Sequence, residues 1–366
     1  MEKYYKLGHL LILIKGADVV LPYLFDELKA IEISPTENPD IIFDFKKVND
    51  NIENGIIASP LIVSEKEIIV KGSGFKYKIE EINQLFYVHI NSDDIIGRAQ
   101  SFPKLYRARN WNYLLPEEIL AKNFMYDIFD YVTQLKNVNK NQSYMHASSF
   151  FKNGKAIAMV AWGGIGKTTS MLKLVTEDGW HFLSDDLGLI DSDGYIYRTP
   201  KKMQIYAYNV EGQPFLKKLL LKDRNWIDRA NWWYKKKRNG IKGARRRVAA
   251  DNLFNMEPSE QKVKLTDVFF LERVKSDRFM LEDISIDSLA SRASNTVMSE
   301  INPFHKIETA LHTVQDKSIL PNYSKLLEQT KAILQAGFSN ANVIKLIKIP
   351  QNADPDALAN FLRTII

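Results

Sequence analysis

The 366-residue chain contains no cysteine. That excludes disulfide frameworks, thiolate nucleophiles and cysteine-bound metal, and it suits a reducing compartment. Long apolar runs are missing too. The longest early one, 10-LLILI-14, falls far short of the roughly twenty residues that cross a bilayer. No small-residue cleavage site follows it, so a secretory signal is not expected and a cytoplasmic protein is. Histidine is scarce, and apart from His146 the other five show no metal-ligand spacing. There is no internal repeat. Charge is unevenly spread: residues 216–247 carry thirteen Lys/Arg against two Asp, a local charge of +11 in a chain of net +6. The basic character therefore belongs to one segment, and the remainder is net acidic.

What is present divides near residue 140. Residues 1 to about 100 read as short strands and turns, including 61-LIVSEKEIIVKG-72 and 85-LFYVHI-90. The stretch 116–135 reads as a helix opened by Pro116 and two glutamates, with Leu120, Phe124, Ile128, Val132 and Leu135 as one apolar stripe. The polar, aperiodic 136-KNVNKNQSY-144 marks a boundary. It separates a β-rich accessory domain at 1–140 from a second domain at 141–366. In the second, Asn153-Gly154 lies between two β-rich runs and predicts a hairpin. Helices are expected at 167–179, 283–300, 322–337 and 354–366, and strands at 180–191, 265–274 and 342–350. That alternation predicts an α/β domain built around a sheet.

The chemistry is concentrated in 161-AWGGIGKTTS-170. It nearly fits the phosphate-loop pattern G-x-x-x-x-G-K-[ST], with Ala161 where the first glycine belongs. Gly163, Gly164 and Gly166 permit close backbone approach to an anion. Lys167 suits the β/γ-phosphates and the Thr168 hydroxyl suits Mg²⁺. The phosphate-holding stretch is thus Gly163, Gly164, Ile165, Gly166, Lys167, Thr168 and Thr169, between a strand and a helix. Asp185-Asp186 follow the lysine by only 18–19 residues, room for one helix and one strand. The pair is therefore expected to end the strand next to the loop. That spacing favours a kinase-like site, with one carboxylate near the metal and one free to take an acceptor's proton. Adjacent strand residues face opposite ways, so two such roles require the strand to have ended.

The ordered set 146-HAS, GGIGKTT and 184-SDD resembles the HPr kinase/phosphorylase superfamily, in particular its branch of HPr-kinase-related proteins. That fold is shared with phosphoenolpyruvate carboxykinases. The motifs cover roughly 140–275, with weaker likeness in 244-ARRRVAADNLF-254 and 264-KLTDVFFLE-272. The resemblance implies a P-loop kinase domain beside a smaller β-rich domain, with ATP and Mg²⁺ as cofactors. It places Lys167 on the β/γ-phosphates, Thr168 and Asp186 at the metal, Asp185 as base and His146 beside the transferred phosphate. The bifunctional enzymes carry a glutamate-arginine-glycine signature after the acidic pair. Here 199-TPKKMQIYAYN-209 lacks it, and Tyr208 falls near the glutamate's place. Phosphorylase activity and the HPr substrate therefore do not carry over.

The expected activity is transfer of the ATP γ-phosphate to a hydroxyl, on a protein or peptide serine, a free amino acid or a sugar. A nucleotide-gated binding protein without phosphotransfer is the alternative. For 215–247 three readings stand open: a basic lid whose Arg245 and Arg247 bind nucleotide or an anionic acceptor, a membrane-facing surface, or a helix pair packing its three tryptophans inward. No nucleic-acid module is recognisable. Self-association is left open.

Overall fold

A computed structural model of the chain describes residues 1–49, 52, 55–59, 61–71, 75–91, 114–211, 213–222, 226–254, 262–301, 307, 310–311, 314, 318–354 and 356–366. The chain forms two compact units, one of Met1–Gln142 with Met298–Thr330, the other of Ser143–Val297 with Lys331–Ile366. The sequence boundary near 140 lies beside the 142/143 division. The return of 298–330 to the first unit has no counterpart in the sequence reading, which ran the second domain to 366.

The first unit is built on a nine-stranded sheet. Its strands are β1 (Glu2–Leu7), β2 (Leu10–Gly16), β3 (Glu32–Ile33), β4 (Ile41–Phe45), β5 (Ile56–Ala58), β6 (Leu61–Val63), β7 (Glu67–Lys71), β8 (Lys76–Ile82) and β9 (Leu85–Asn91). β2, β4 and β9 run parallel, and β5 to β9 form an antiparallel meander. Helix α1 (Leu21–Leu28) makes the β2-to-β4 crossover, which the sequence reading passed over as turn. Its Leu21, Leu24 and Leu28 are buried at three- and four-residue spacing. Helices α2 (Pro116–Phe124) and α3 (Asp130–Asn139) are joined by a π turn at Met125–Phe129. All five residues of the foreseen apolar stripe are buried. Phe124 meets Phe43 edge-on at 5.2 Å and Phe129 stacks on Phe43 at 5.8 Å.

The second unit is α/β, and it carries the glycine loop. Its main sheet runs β17-β14-β13-β10-β11-β18-β20-β19, with β12 also paired to β10. The strands are β10 (Gln142–Lys152), β11 (Lys155–Val160), β12 (His181–Ser184), β13 (Leu187–Asp191), β14 (Tyr195–Tyr197), β17 (Lys262–Lys264), β18 (Asp267–Val274), β19 (Met280–Asp283) and β20 (Val343–Pro350). A separate ribbon pairs β15 (Met203–Tyr206) with β16 (Arg245–Val248). The β10–β11 hairpin closes across Lys152↔Lys155. Its two turn residues, Asn153 (φ 49°) and Gly154 (φ 76°), are both left-handed, the geometry that matches strand twist in two-residue turns. β11, β18 and β20 are parallel, and their middle residues are buried on both faces: Ile157 to Val160, Val268 to Leu271, Ile347. One face carries α4 (Lys167–Glu177) and α9 (Ala357–Ile365), with Met171, Leu172, Leu358 and Leu362 buried in one apolar cluster. The other carries α7 (Ile286–Glu300) and α8 (Tyr323–Phe338), through Leu289, Ala293, Leu334 and Phe338. Helices α5 (Pro214–Leu221) and α6 (Trp226–Asn239) lie in the basic segment.

Candidate functional site

The loop leaves β11 after Val160 and enters α4 at Lys167. Gly164 (φ 76°) and Gly166 (φ 113°) occupy backbone conformations that L side chains rarely adopt. An added Cβ would meet nothing within 4 Å at Gly164, so conformation rather than crowding requires glycine there. Gly163 is exposed and is not left-handed. Ala161 is fully buried, and its N–H donates to the His146 carbonyl at 3.2 Å. Its backbone is not left-handed, so a methyl group is accommodated where the pattern has glycine. The Lys167 ammonium donates to the Ala161 and Trp162 carbonyls at 2.7 and 2.9 Å and lies 3.4 Å from His146 Nε2. Ile165 is fixed from outside, its carbonyl accepting from Arg273 at 3.1 Å.

The aspartates do not lie on a strand adjacent to the loop strand, as the spacing suggested. β12 pairs with β10, and β10 stands between it and β11. The acidic pair still meets the loop because the β10 residue at the crossing is small: Ser148, whose hydroxyl donates to Asp185 Oδ1. β12 ends at Ser184 and β13 starts at Leu187, so the pair occupies a break between strands. Asp186 is left-handed at φ 70°, and its carbonyl accepts from the Ala147 N–H at 3.2 Å. The break gives the two carboxylates different neighbours.

Asp185 is buried, and both its oxygens accept from Thr168 Oγ1 at 3.0 Å. Burial pushes its carboxyl up, hydrogen bonds from Ser148 and Thr168 oppose this, and the negative charge of Asp186 adds to it. Asp186 keeps 37% of its side chain exposed and pairs with Lys201 at 2.9 Å, with His146 Nε2 at 3.7 Å. Enclosure alone would raise the Asp186 carboxyl, but Lys201 foremost among its neighbours outweighs that and holds it below the usual range. Burial, and then the charge of Lys167, pull His146 down to about 3. Its imidazole is therefore neutral near pH 7, and Lys201 and Lys167 are the cations facing Asp186.

A hydroxyl and a carboxylate converging at 3.0 Å are hard oxygen donors, a set that fits Mg²⁺ and lacks the soft ligands zinc prefers. His146, Lys167, Thr168, Asp185 and Asp186 thus lie together. Thr169 faces a different partner, its hydroxyl accepting from Asn209 Nδ2 at 2.8 Å. Three participants escaped the sequence reading. Ser148 sits inside the quoted HAS motif, and Lys201 and Asn209 sit inside the stretch searched for the absent signature. A lysine only 8% exposed is the sort of feature that composition cannot flag.

The three arginines divide by strand alternation. Arg246 is fully buried on one face of β16, donating to Asp228 O at 2.8 Å and lying 3.3 Å from Asn231 Oδ1, with its guanidinium over Trp232. Arg245 and Arg247 take the other face, opposite Tyr206 and Gln204. Arg245 donates to Tyr206 Oη at 3.1 Å, and Tyr206 stacks on Tyr208. Burial, then Tyr206 and Asp185, raise the Tyr208 phenol.

On the opposite flank of the loop, β18 runs past the end of β11, since Val160 pairs with Phe270 and the strand continues to Val274. There a cleft of about 540 Å³ opens, lined by Trp162, Ile165, Phe270, Arg273, Arg292 and Asn295. Arg292 lies over the Phe270 ring and pairs with Glu272. No described helix is long and apolar enough to cross a membrane. No protein-family model matches the chain, and no curated protein matches it.

Proposed function

We propose that the chain is an ATP- and Mg²⁺-dependent phosphotransferase of the HPr-kinase-like type, moving the γ-phosphate to a hydroxyl acceptor. The observation that carries this reading is the carboxylate of Asp185 held 3.0 Å from the hydroxyl that follows the loop lysine, with a second carboxylate, paired to Lys201, beside it. A passive anion loop has no need of that pair. In this reading the loop N–H groups and Lys167 hold the phosphates. The nucleoside extends into the cleft beside Trp162, away from the acids. Thr168 and Asp185 would hold Mg²⁺, which when bound neutralises charge on the phosphates.

Asp186 is the better base, which reverses the roles the family resemblance implies. It is the more exposed of the two, and Lys201 keeps it ionised at neutral pH. It accepts the acceptor's proton as the acceptor oxygen bonds to the γ-phosphorus and the bond to the β-phosphate oxygen breaks, releasing ADP. Neutral His146 fixes Lys167 against this side.

The test is transfer of label from γ-labelled ATP across a panel of serine peptides, free amino acids and sugars. Lys167→Ala is expected to lower turnover about 10³-fold with an unchanged unfolding transition. ATP binding by the wild type without transfer to any hydroxyl would overturn the reading in favour of a nucleotide-gated binder.

A further inference from the structure

The basic segment contains a surface that the phosphotransfer reading does not use. Helix α6 has its rotation fixed from inside. Asp228, Asn231 and Trp232 are buried, and Arg246 bonds to the first two and lies over the third. With that face locked, helical spacing turns Trp226, Ala230, Trp233 and Lys237 outward as one stripe. Trp226 is 77% exposed and Trp233 63%, so two of the three tryptophans that could have packed inward do not. They stand about 10 Å apart along the axis at 1.5 Å per residue. Ile227, next to Trp226 in the chain, is exposed, and so is Phe215 on α5.

Cations surround this apolar stripe. Lys217, Lys218 and Lys222 are exposed on and just after α5, Arg229, Lys237 and Arg238 on α6, and Lys242 just beyond it. The Lys237 ammonium lies 5.1 Å from the Trp233 ring centre. Of the segment's two acids, Asp228 points inward and Asp223 lies outside the described residues. Indoles left in water amid lysines are costly on a free surface and suited to an interface that is apolar beneath and anionic at its edge.

We propose that α6 and its flanks dock the protein on an anionic phospholipid surface, with Trp226 and Trp233 at headgroup depth and the lysines on the phosphates and carboxylates. Charge complementarity and the shape of the patch select this occupant. A convex helix face lies flat on a plane, whereas single-stranded nucleic acid is held in grooves with bases stacked on the walls. The proposal is independent of the phosphotransfer reading.

The experiment is co-sedimentation of the full chain with vesicles of phosphatidylcholine alone and of phosphatidylcholine with about 30% phosphatidylserine. Tryptophan emission is read in parallel. The serine lipid is expected to raise bound protein about tenfold or more, with a blue shift, and added salt to reverse it. Trp226→Ala with Trp233→Ala is expected to abolish the shift and lower binding about tenfold. Because both side chains are exposed, thermal unfolding should stay unchanged. Lys237→Glu with Arg238→Glu, which leaves the indoles in place, should lower binding to the anionic vesicles alone. Equal binding to both vesicle types, full binding without the indoles, or a preference for single-stranded oligonucleotide over anionic vesicles would each overturn the proposal.

Discussion

Lys201 and Arg246 are both buried cations of the second unit, and their surroundings differ in kind. Arg246 is fully enclosed. It gives its hydrogens to the Arg245 and Asp228 carbonyls, and the Asn231 and Asp228 side chains lie at 3.3 and 3.4 Å. Every one of these groups belongs to the fold, so the charge is consumed in fixing α6 against β16. Lys201 is almost as buried, yet its partner Asp186 keeps an open side. Its charge is spent on the state of a group that can still meet a ligand. The same contrast separates Asp228 from Asp186. A buried ion pair whose members are both enclosed is architecture, and one whose carboxylate stays reachable is poised for chemistry.

The sharpest way to break the comparison is to remove each cation. Arg246→Met should cost about 3 kcal/mol in urea unfolding, because it strands Asp228 and Asn231 in the interior and frees α6. Any loss of turnover should track the loss of folded protein. Lys201→Met should do the reverse. Stability changes little, while turnover at pH 7 falls about tenfold or more and the acid limb of the pH–rate profile moves upward, because enclosure of Asp186 has then lost its foremost opponent and only His146 and Lys167 still act against it. Lys201→Arg should restore the profile. Equal stability losses for the two substitutions would erase the distinction.

A smaller effect comes from His146, which sharpens the picture without removing a charge at neutral pH. Its folded pKa, about 3, lies below the ordinary histidine value of 6.5, so between these the unfolded chain binds the proton and the folded one does not. The stabilisation is complete above pH 6.5 and is lost as pH falls toward 3. His146→Asn should therefore flatten the acid side of the curve of melting temperature against pH. The two proteins should differ in slope between pH 6 and 4 and run parallel above pH 7. Parallel curves throughout would mean that His146 is not held neutral.

How much of this was legible in sequence depended on how locally each feature is determined. The glycine loop, the Asn153-Gly154 hairpin and the buried stripe from Leu120 to Leu135 are set by neighbours a few residues away, and their pattern names them. The different surroundings of Asp185 and Asp186 were not legible. They turn on a strand break and on Lys201, a lysine brought in by the later chain. The division of the arginine cluster was half visible. Strand alternation splits Arg246 from Arg245 and Arg247, but that requires knowing that 245–248 is a strand. The tryptophans misled for a similar reason: composition says that they are apolar, and only the inward lock at Asp228 and Asn231 says which face of the helix they occupy.

Four of the groups that donate to or pair with the two carboxylates, His146, Ser148, Thr168 and Lys201, come from a short window of chain. His146 and Ser148 lie on the hairpin strand paired with β11, which delivers the loop, and Lys201 and Asn209 follow, all within roughly sixty consecutive residues. By contrast, the strand flanking the loop on its other side, β18, arrives about a hundred residues later, and β20 later still. Loop closure within the first window costs less entropy than recruiting those strands. During synthesis the glycine loop and its acids can come together while β18 and β20 are still to be made, and the cleft beside Trp162 waits for Phe270 to Asn295. The half of the site that holds the acids thus needs only local chain, and the half beside β18 needs a strand from far along it.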